Sequence, residues 1–364
     1  MYSEMNENSK PLRPNQLWPV RPKPLPDELL SSWLVRLAKK NGVKLQRFCD
    51  CAFGNDRQIW NRDIDRLAPG WLLRELSMRT NVSLEKIELL TLSSYKGKIF
   101  KRLLVCGQQR WILPLGMYHR KRLGFGLQFC PCCLAEDREP YFRKRWRIAF
   151  YTFCTTHGCM LEERCPDCHS PVAFHRRELG RPTVLDPGLL CSCSECGFDL
   201  RRTETHKASA VENQSFSLFR EILAELEGPT RSGYHHVCME FMDVLHQLCK
   251  ILISRRSKLR LYNFVLGQIN VTPRELTKGR FAFEEQSLDE RHFIVQLGLW
   301  LMVDPANRLS CAWKSGAVLY NYLLKDMESP PHGFATLVSP FNRLTHPRGR
   351  RARRRNEADY ERRL

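Results

Sequence analysis

The sequence predicts a mainly α-helical chain interrupted near its middle by a cysteine-rich stretch of small β elements. Three observations carry this prediction. Apolar residues recur at helical spacing on both sides of the middle, ten of the 16 cysteines fall between residues 129 and 200, and most of those ten come in closely spaced pairs. With 364 residues, 43% of them hydrophobic, the chain has length for two or three domains and apolar side chains enough to bury their cores.

Residues 1–26 hold six prolines and read as an extended leader that ends at Pro24 and Pro26. From Asp27 a helix is expected, with Leu29, Leu30, Trp33, Leu34, Leu37 and Ala38 on one face and Asn41-Gly42 as its stop. A second apolar pattern follows through Leu45, Phe48, Cys51 and Ala52. A similar arrangement recurs after Pro69-Gly70, where Trp71, Leu72, Leu73, Leu76 and Met78 precede a turn at Thr80-Asn81. Ser83 is then placed to cap a helix through Leu84, Ile87 and Leu90. Two helix–turn–helix units within 27–95 suit either a DNA-reading helix-turn-helix or plain helical hairpins that make a core.

Residues 96–205 form the cysteine-rich domain, entered through an expected short strand at Trp111-Ile-Leu-Pro114. A C-terminal helical array is expected over 206–340. One helix runs through Phe216, Phe219, Ile222, Leu223 and Leu226, and another through Val237, Cys238, Phe241, Met242, Leu245, Leu248 and Leu252. Ser287 and Glu290 make a capping box before Phe293–Val303, Asp304-Pro305 breaks that run, and a last helix spans roughly 307–327. Residues 341–364 are an Arg-rich tail.

Four turns in order each place two metal-binding side chains close together: Cys130/Cys133, Cys154/His157, Cys165/Cys168 and Cys193/Cys196. Twenty residues separate the first pair from the second and 24 the third from the fourth, spans suited to closing two pairs on one zinc ion. The simplest pairing is sequential, giving one site of three cysteines and a histidine and one of four cysteines. An interleaved pairing stays open, as does substitution by Cys132 or Cys191. Four protein donors per ion leave no position for water, so two structural Zn²⁺ ions in zinc-ribbon-like fingers are expected, with no catalytic metal. Cys49, Cys51, Cys106, Cys159, Cys238, Cys249 and Cys311 are expected in cores.

The formal net charge is +19, a field that favours polyanions. Seven thiolates and two divalent ions together carry −3, which leaves a formal charge of +16. Between the first two cysteine turns lies Tyr141-Phe-Arg-Lys-Arg-Trp-Arg147, where Arg143, Lys144, Arg145 and Arg147 interleave with aromatic rings. That pattern suits phosphate contact and base stacking, or equally a scaffolded segment with its aromatics in a core. The tail adds Arg348, Arg350, Arg351, Arg353, Arg354 and Arg355, too polar a run to bury and suited to a sequence-independent phosphate clamp. No apolar run approaches the roughly 20 residues that span a bilayer, and Met1 to Lys10 has no apolar signal core. The cytoplasm is therefore the expected compartment, and there cysteines serve metals before disulfides.

Cys130 to Cys168 reads CPCCLAEDREPYFRKRWRIAFYTFCTTHGCMLEERCPDC. It resembles the zinc segment of TniQ/TnsD transposon target-selection proteins, with a CPxCL start, an acidic spacer, Pro-Tyr-Phe-Arg, a Trp, Cys-x-x-His and Cys-Pro-x-Cys. Pro26-Asp-Glu-Leu-Leu-Ser-Ser-Trp-Leu-Val-Arg-Leu37 resembles that family's N-terminal opening, and Trp111–Pro114 also fits. The resemblance covers roughly residues 20–200 and only loosely the helices beyond. It implies a protein without nuclease chemistry that recognises a DNA site, or a site marked by an RNA-guided CRISPR complex. Such a protein then recruits an AAA+ ATPase (TnsC/TniB-like) and through it the transposase. Family members can act as homodimers, and the Arg-rich tail is not a feature of the family.

Two other function classes compete with that reading. A zinc-dependent DNA-binding transcription regulator would use the same parts with DNA as its sole partner. An enzyme would need chemistry that the sequence does not gather: Asp63 and Asp65 lie close together without a third carboxylate for Mg²⁺, and His235-His236 has no acidic or cysteine companion.

Overall fold

A computed structural model describes residues 17–54, 59–118, 121–122, 124–176, 190–228, 237–277, 282–327 and 329–342. The Arg-rich tail and His235-His236 lie outside the described residues. The chain divides into two compact units, one formed by 1–96 with 102–207 and the other by 97–101 with 208–364.

In the first unit α1 (Leu30–Lys40) is a central helix. Every residue from Leu30 to Ala38 is buried, polar ones included, so the expected solvent face is absent until Lys39. The polar residues are matched from outside the helix. Ser31 donates to Asp65 through both its backbone and its hydroxyl, and Arg36 pairs with Glu28 at 2.7 Å and Glu139 at 3.0 Å. Helical geometry begins three residues after the expected start, because Asp27 sits in the left-handed region at φ 55° and turns its carboxylate toward Arg145. After a short turn, α2 (Leu45–Phe53) buries Leu45, Phe48, Cys49, Ala52 and Phe53. Residues 17–26 are extended, and Trp18 anchors them. Its indole is fully buried against Phe48 and Phe53, and its backbone N–H donates to the Arg79 carbonyl.

A short helix that the sequence reading missed, α3 (Ile64–Leu67), is capped by Asp63. Then α4 (Gly70–Thr80) runs to Asn81, whose left-handed φ of 57° ends it, and α5 (Leu84–Glu88) lasts five residues. The expected strand at Trp111–Pro114 does not form. Trp111 has φ 65°, and only Ile112 makes a bridge, to Ile148. Among the described residues the one sheet is a two-stranded antiparallel pair, β1 (Met117–Tyr118) with β2 (Lys121–Arg122). Beyond it α6 (Pro131–Glu136) begins with Pro131 in its first turn.

The second unit is helical. Its members are α7 (Asn213–Glu227), α8 (Met239–Leu252), α9 (Arg260–Ile269), α10 (Leu288–Val303), α11 (Pro305–Lys314), α12 (Tyr320–Leu324) and α13 (His332–Val338). The core is built on α10, which is buried on all sides from Arg291 to Leu301 and packs against α7 and α8. Ser287 and Glu290 form the expected capping box, and Asp304 caps α11 with Pro305 at its first position. The expected helix over 307–327 is broken in two, because Gly316 takes φ 76° and redirects the chain after α11. No helix among the described residues is long and apolar enough to cross a membrane.

Candidate metal centres

Three of the four donor turns share one backbone design. In each, the first cysteine N–H donates to the carbonyl five residues on: Cys154 to Cys159, Cys165 to Ser170 and Cys193 to Phe198. In each, the N–H four residues on returns to the first cysteine's carbonyl, from Gly158, His169 and Gly197. A single antiparallel bridge flanks each turn: Phe153 with Met160, Arg164 with Pro171, and Ser192 with Asp199. The returning residue has φ of 65°, 57° and 83° in turn. That is the left-handed region where glycine is at ease, which explains Gly158 and Gly197. The remaining turn is different. Cys130 is the N-cap of α6, its sulfur accepts from the Cys133 N–H, and the helix's first turn carries Cys133 inward.

The structure gathers the eight sequence-derived donors into two groups of four, Cys130/Cys133/Cys154/His157 and Cys165/Cys168/Cys193/Cys196. This is the sequential pairing. In the first group His157 Nδ1 lies 3.5 Å from Cys130 Sγ, 3.4 Å from Cys133 Sγ and 3.3 Å from Cys154 Sγ, and Cys133 and Cys154 are 3.6 Å apart. In the second group Cys165–Cys196 and Cys168–Cys193 are each 3.6 Å. Thiolates about 2.3 Å from a tetrahedral ion are separated by about 3.8 Å, and imidazole nitrogen, held closer, by slightly less. The residues present therefore fit a divalent ion with soft donors.

The Cys133 thiol is pushed far up by its hydrogen bonds to Cys130 and Cys154 and by burial, while hydrogen bonds from Cys130 and Cys133 hold Cys154 far down. The outer face of the site also has a partner that sequence reading missed: His157 Nε2 lies 2.9 Å from Glu136 Oε2 at the end of α6. A carboxylate there orients the ring and leaves Nδ1 to the ion.

The other cysteines divide differently from the expectation. Cys49, Cys159, Cys191 and Cys249 are buried, and burial lifts the Cys191 thiol to about 11. Cys106, Cys238 and Cys311, expected in cores, are exposed, and Cys51 is half-buried. Cys238 stands at the N-cap of α8 and Cys311 on the outer side of α11, so an apolar spacing in sequence does not carry them inside.

The cationic run between the first two turns also departs from the nucleic-acid reading. Arg143, Lys144 and Arg147 are buried and Arg145 is half-buried. Arg147 has no exposed surface; it pairs with Asp63 at 2.6 Å and Asp65 at 3.4 Å and donates to the Leu113 carbonyl. Arg143 forks onto Asp137 at 3.0 and 2.8 Å and lies over the Tyr141 and Trp146 rings. Lys144 donates to the Leu89 carbonyl, and Arg145 reaches Asp27 at 3.4 Å. The cause is backbone pinning: Leu29 N–H donates to Phe142, Lys144 N–H to Asp27 and Leu113 N–H to Arg147, which turns the run inward toward acids distant in sequence. The Asp63–Asp65 pair thus has a third partner, and it is a cation of the fold. A surface cleft of about 190 Å³ is lined by Arg62, Asp63, Arg66, Gly107, Gln108 and residues 112–116, with Arg62 exposed.

Residues 19–161 match the model of the TniQ family, a span that contains the first donor group and stops before the second. Comparison with curated proteins gave no match. The cysteine turns and this match lead to one conclusion: over residues 19–161 the chain carries a region similar to the TniQ domain, which is associated with DNA transposition.

Proposed function

We propose that the chain is a non-catalytic adaptor for target selection in DNA transposition, stabilised by two structural Zn²⁺ ions. The observation that carries the reading is the TniQ match over a unit whose donor groups are closed sets of four. Ions held by Cys130, Cys133, Cys154 and His157, and by Cys165, Cys168, Cys193 and Cys196, have no open coordination position, so their work is to hold shape. The recruited partner is an AAA+ ATPase of the transposon, and the target is DNA or a complex that marks it. The elements offered to DNA are the exposed side of α2, at Gln46 and Arg47, and the pair α4–α5. The exposed Arg62 at its cleft and the six tail arginines supply phosphate contacts.

Purified chain is mixed with labelled target DNA and the ATPase encoded beside it, with ATP and Mg²⁺. Expected is ATPase retained on DNA only when the chain is present, and DNA left uncut. Retention of the chain on DNA with no effect on any neighbouring ATPase would favour the transcription-regulator reading. Cleavage abolished by a single point substitution would overturn the non-catalytic one.

A further inference from the structure

The first donor group has a sulfur face that a tetrahedral zinc ion does not use. Cys159 is buried, and its Sγ lies 3.6 Å from Cys130 Sγ, the same separation as between two ligands of one site. Cys132, half-buried on α6, completes a trio in which the sulfurs of Cys130, Cys132 and Cys159 all lie within 4.8 Å of one another. Local backbone explains the convergence. Pro131 starts α6 and turns Cys132 and Cys133 to different sides of the first helical turn, while the Cys154 hairpin returns the chain at Cys159. Cys130 therefore stands at a corner shared by two groups, the four-donor site and this trio.

We propose that Cys130, Cys132 and Cys159 form a third metal site, specific for a thiophilic monovalent ion such as Cu(I), with the Cys130 thiolate bridging it to the first zinc ion. Three sulfurs with no nitrogen or oxygen donor select soft ions. Their number suits a trigonal ion, whereas a second tetrahedral zinc would need a fourth donor. Cys130 is already a thiolate on zinc and has further lone pairs to share. Binding of Cu(I) forms three Cu–S bonds and releases the two protons of Cys132 and Cys159, so the local charge changes by −1. No electron is transferred. Half-exposed Cys132 gives the ion its way in, and the buried Cys159 holds it beside the zinc.

The site rests on zinc occupancy of the first group, and the experiment separates the two claims. Full-length chain is first assayed for zinc, then titrated anaerobically with Cu(I) delivered from a chelator, with released zinc read by a chromophoric indicator. Fewer than two zinc ions at the outset would count against the zinc reading itself. With two zinc ions present, the first equivalent of Cu(I) is expected to bind without zinc release, and X-ray absorption should show three sulfur neighbours on copper. Cys132→Ala and Cys159→Ala should each keep two zinc ions and weaken the first Cu(I) equivalent at least tenfold. Cys132, being half-exposed, decides the matter if Cys159→Ala fails to fold. Zinc release with the first Cu(I) equivalent in the parent chain, or unchanged Cu(I) affinity in Cys132→Ala, would overturn the proposal.

Discussion

At the scale of single residues, the first unit depends on buried charges matched across long sequence separations. Arg147 is fully buried between Asp63 and Asp65, and removing one partner of a buried ion cluster leaves the others uncompensated. Arg147→Ala is expected to cost the first unit about 3–5 kcal/mol in urea unfolding of zinc-loaded chain. A loss within ordinary surface range would contradict this role. Glu28 gives a pH dependence. Burial pushes its carboxyl up to about 7, against the pull of the Arg36 guanidinium. A raised folded pKa means that the folded state binds the proton more tightly. The stabilisation is then complete below the unfolded value near 4.5 and is lost as pH rises through about 7. Between about pH 5.5 and 7.5 the parent should lose about 2 kcal/mol of stability relative to Glu28→Gln. A difference that does not vary with pH would show that Glu28 stays ionised throughout. The Arg147 pairing could not be read from sequence, because Asp63 and Asp65 lie 84 and 82 positions from it.

Among secondary-structure elements, those with strong local signals form as the sequence predicts, and those shaped by neighbours do not. The capping box at Ser287 and the Asp304-Pro305 break are local chemistry, and both appear. The four residues of α3 have too little periodicity to announce a helix, and it exists because Asp63 caps it and Arg147 holds it. The strand expected at Trp111–Pro114 is reduced to one bridge, Ile112 with Ile148, flanked by the hydrogen bonds Leu113 N–H to the Arg147 carbonyl and Ala149 N–H to the Trp111 carbonyl. Close packing of α8 on α10 yields a further prediction. A Cβ at Gly298 would lie 2.9 Å from Leu245 Cδ1 and 3.3 Å from Cys249 Sγ. Gly298→Ile should overpack this contact and cost the second unit about 1–3 kcal/mol, visible as a lower melting temperature of its helices. An unchanged transition would mean that the two helices separate at no cost.

For the whole molecule, the division into two units decides how metal and stability are coupled. All metal-capable groups found among the described residues lie in the first unit. A strong chelator is expected to unfold that unit, since binding energy in closed zinc sites is folding energy, while the helices of the second keep their melting transition. Circular dichroism melts with and without chelator, followed by limited proteolysis, test this; loss of both units together would refute it. The Arg-rich tail is also tested on the entire chain. If about half of its six arginines engage phosphates, deleting 346–364 should flatten the slope of log K against log salt by roughly 2–3 units, equally on all duplex sequences. An unchanged slope would remove the tail from DNA binding.

The sequence by itself determined the donor turns, the family resemblance and the main helices. Each of these is written in contiguous residues: Cys-x-x-Cys and Cys-x-x-His place two donors on one turn, and caps and apolar spacing act within a few positions. Tertiary structure alone decided the rest. It chose sequential over interleaved donor pairing, since both satisfy the same local spacing. It turned Arg143, Lys144 and Arg147 into the first unit, where a buried guanidinium or ammonium must find an acid or a carbonyl. It also set Cys159 against Cys130, 29 positions away, a contact that depends on how a hairpin and a helix N-terminus pack, which no local pattern encodes.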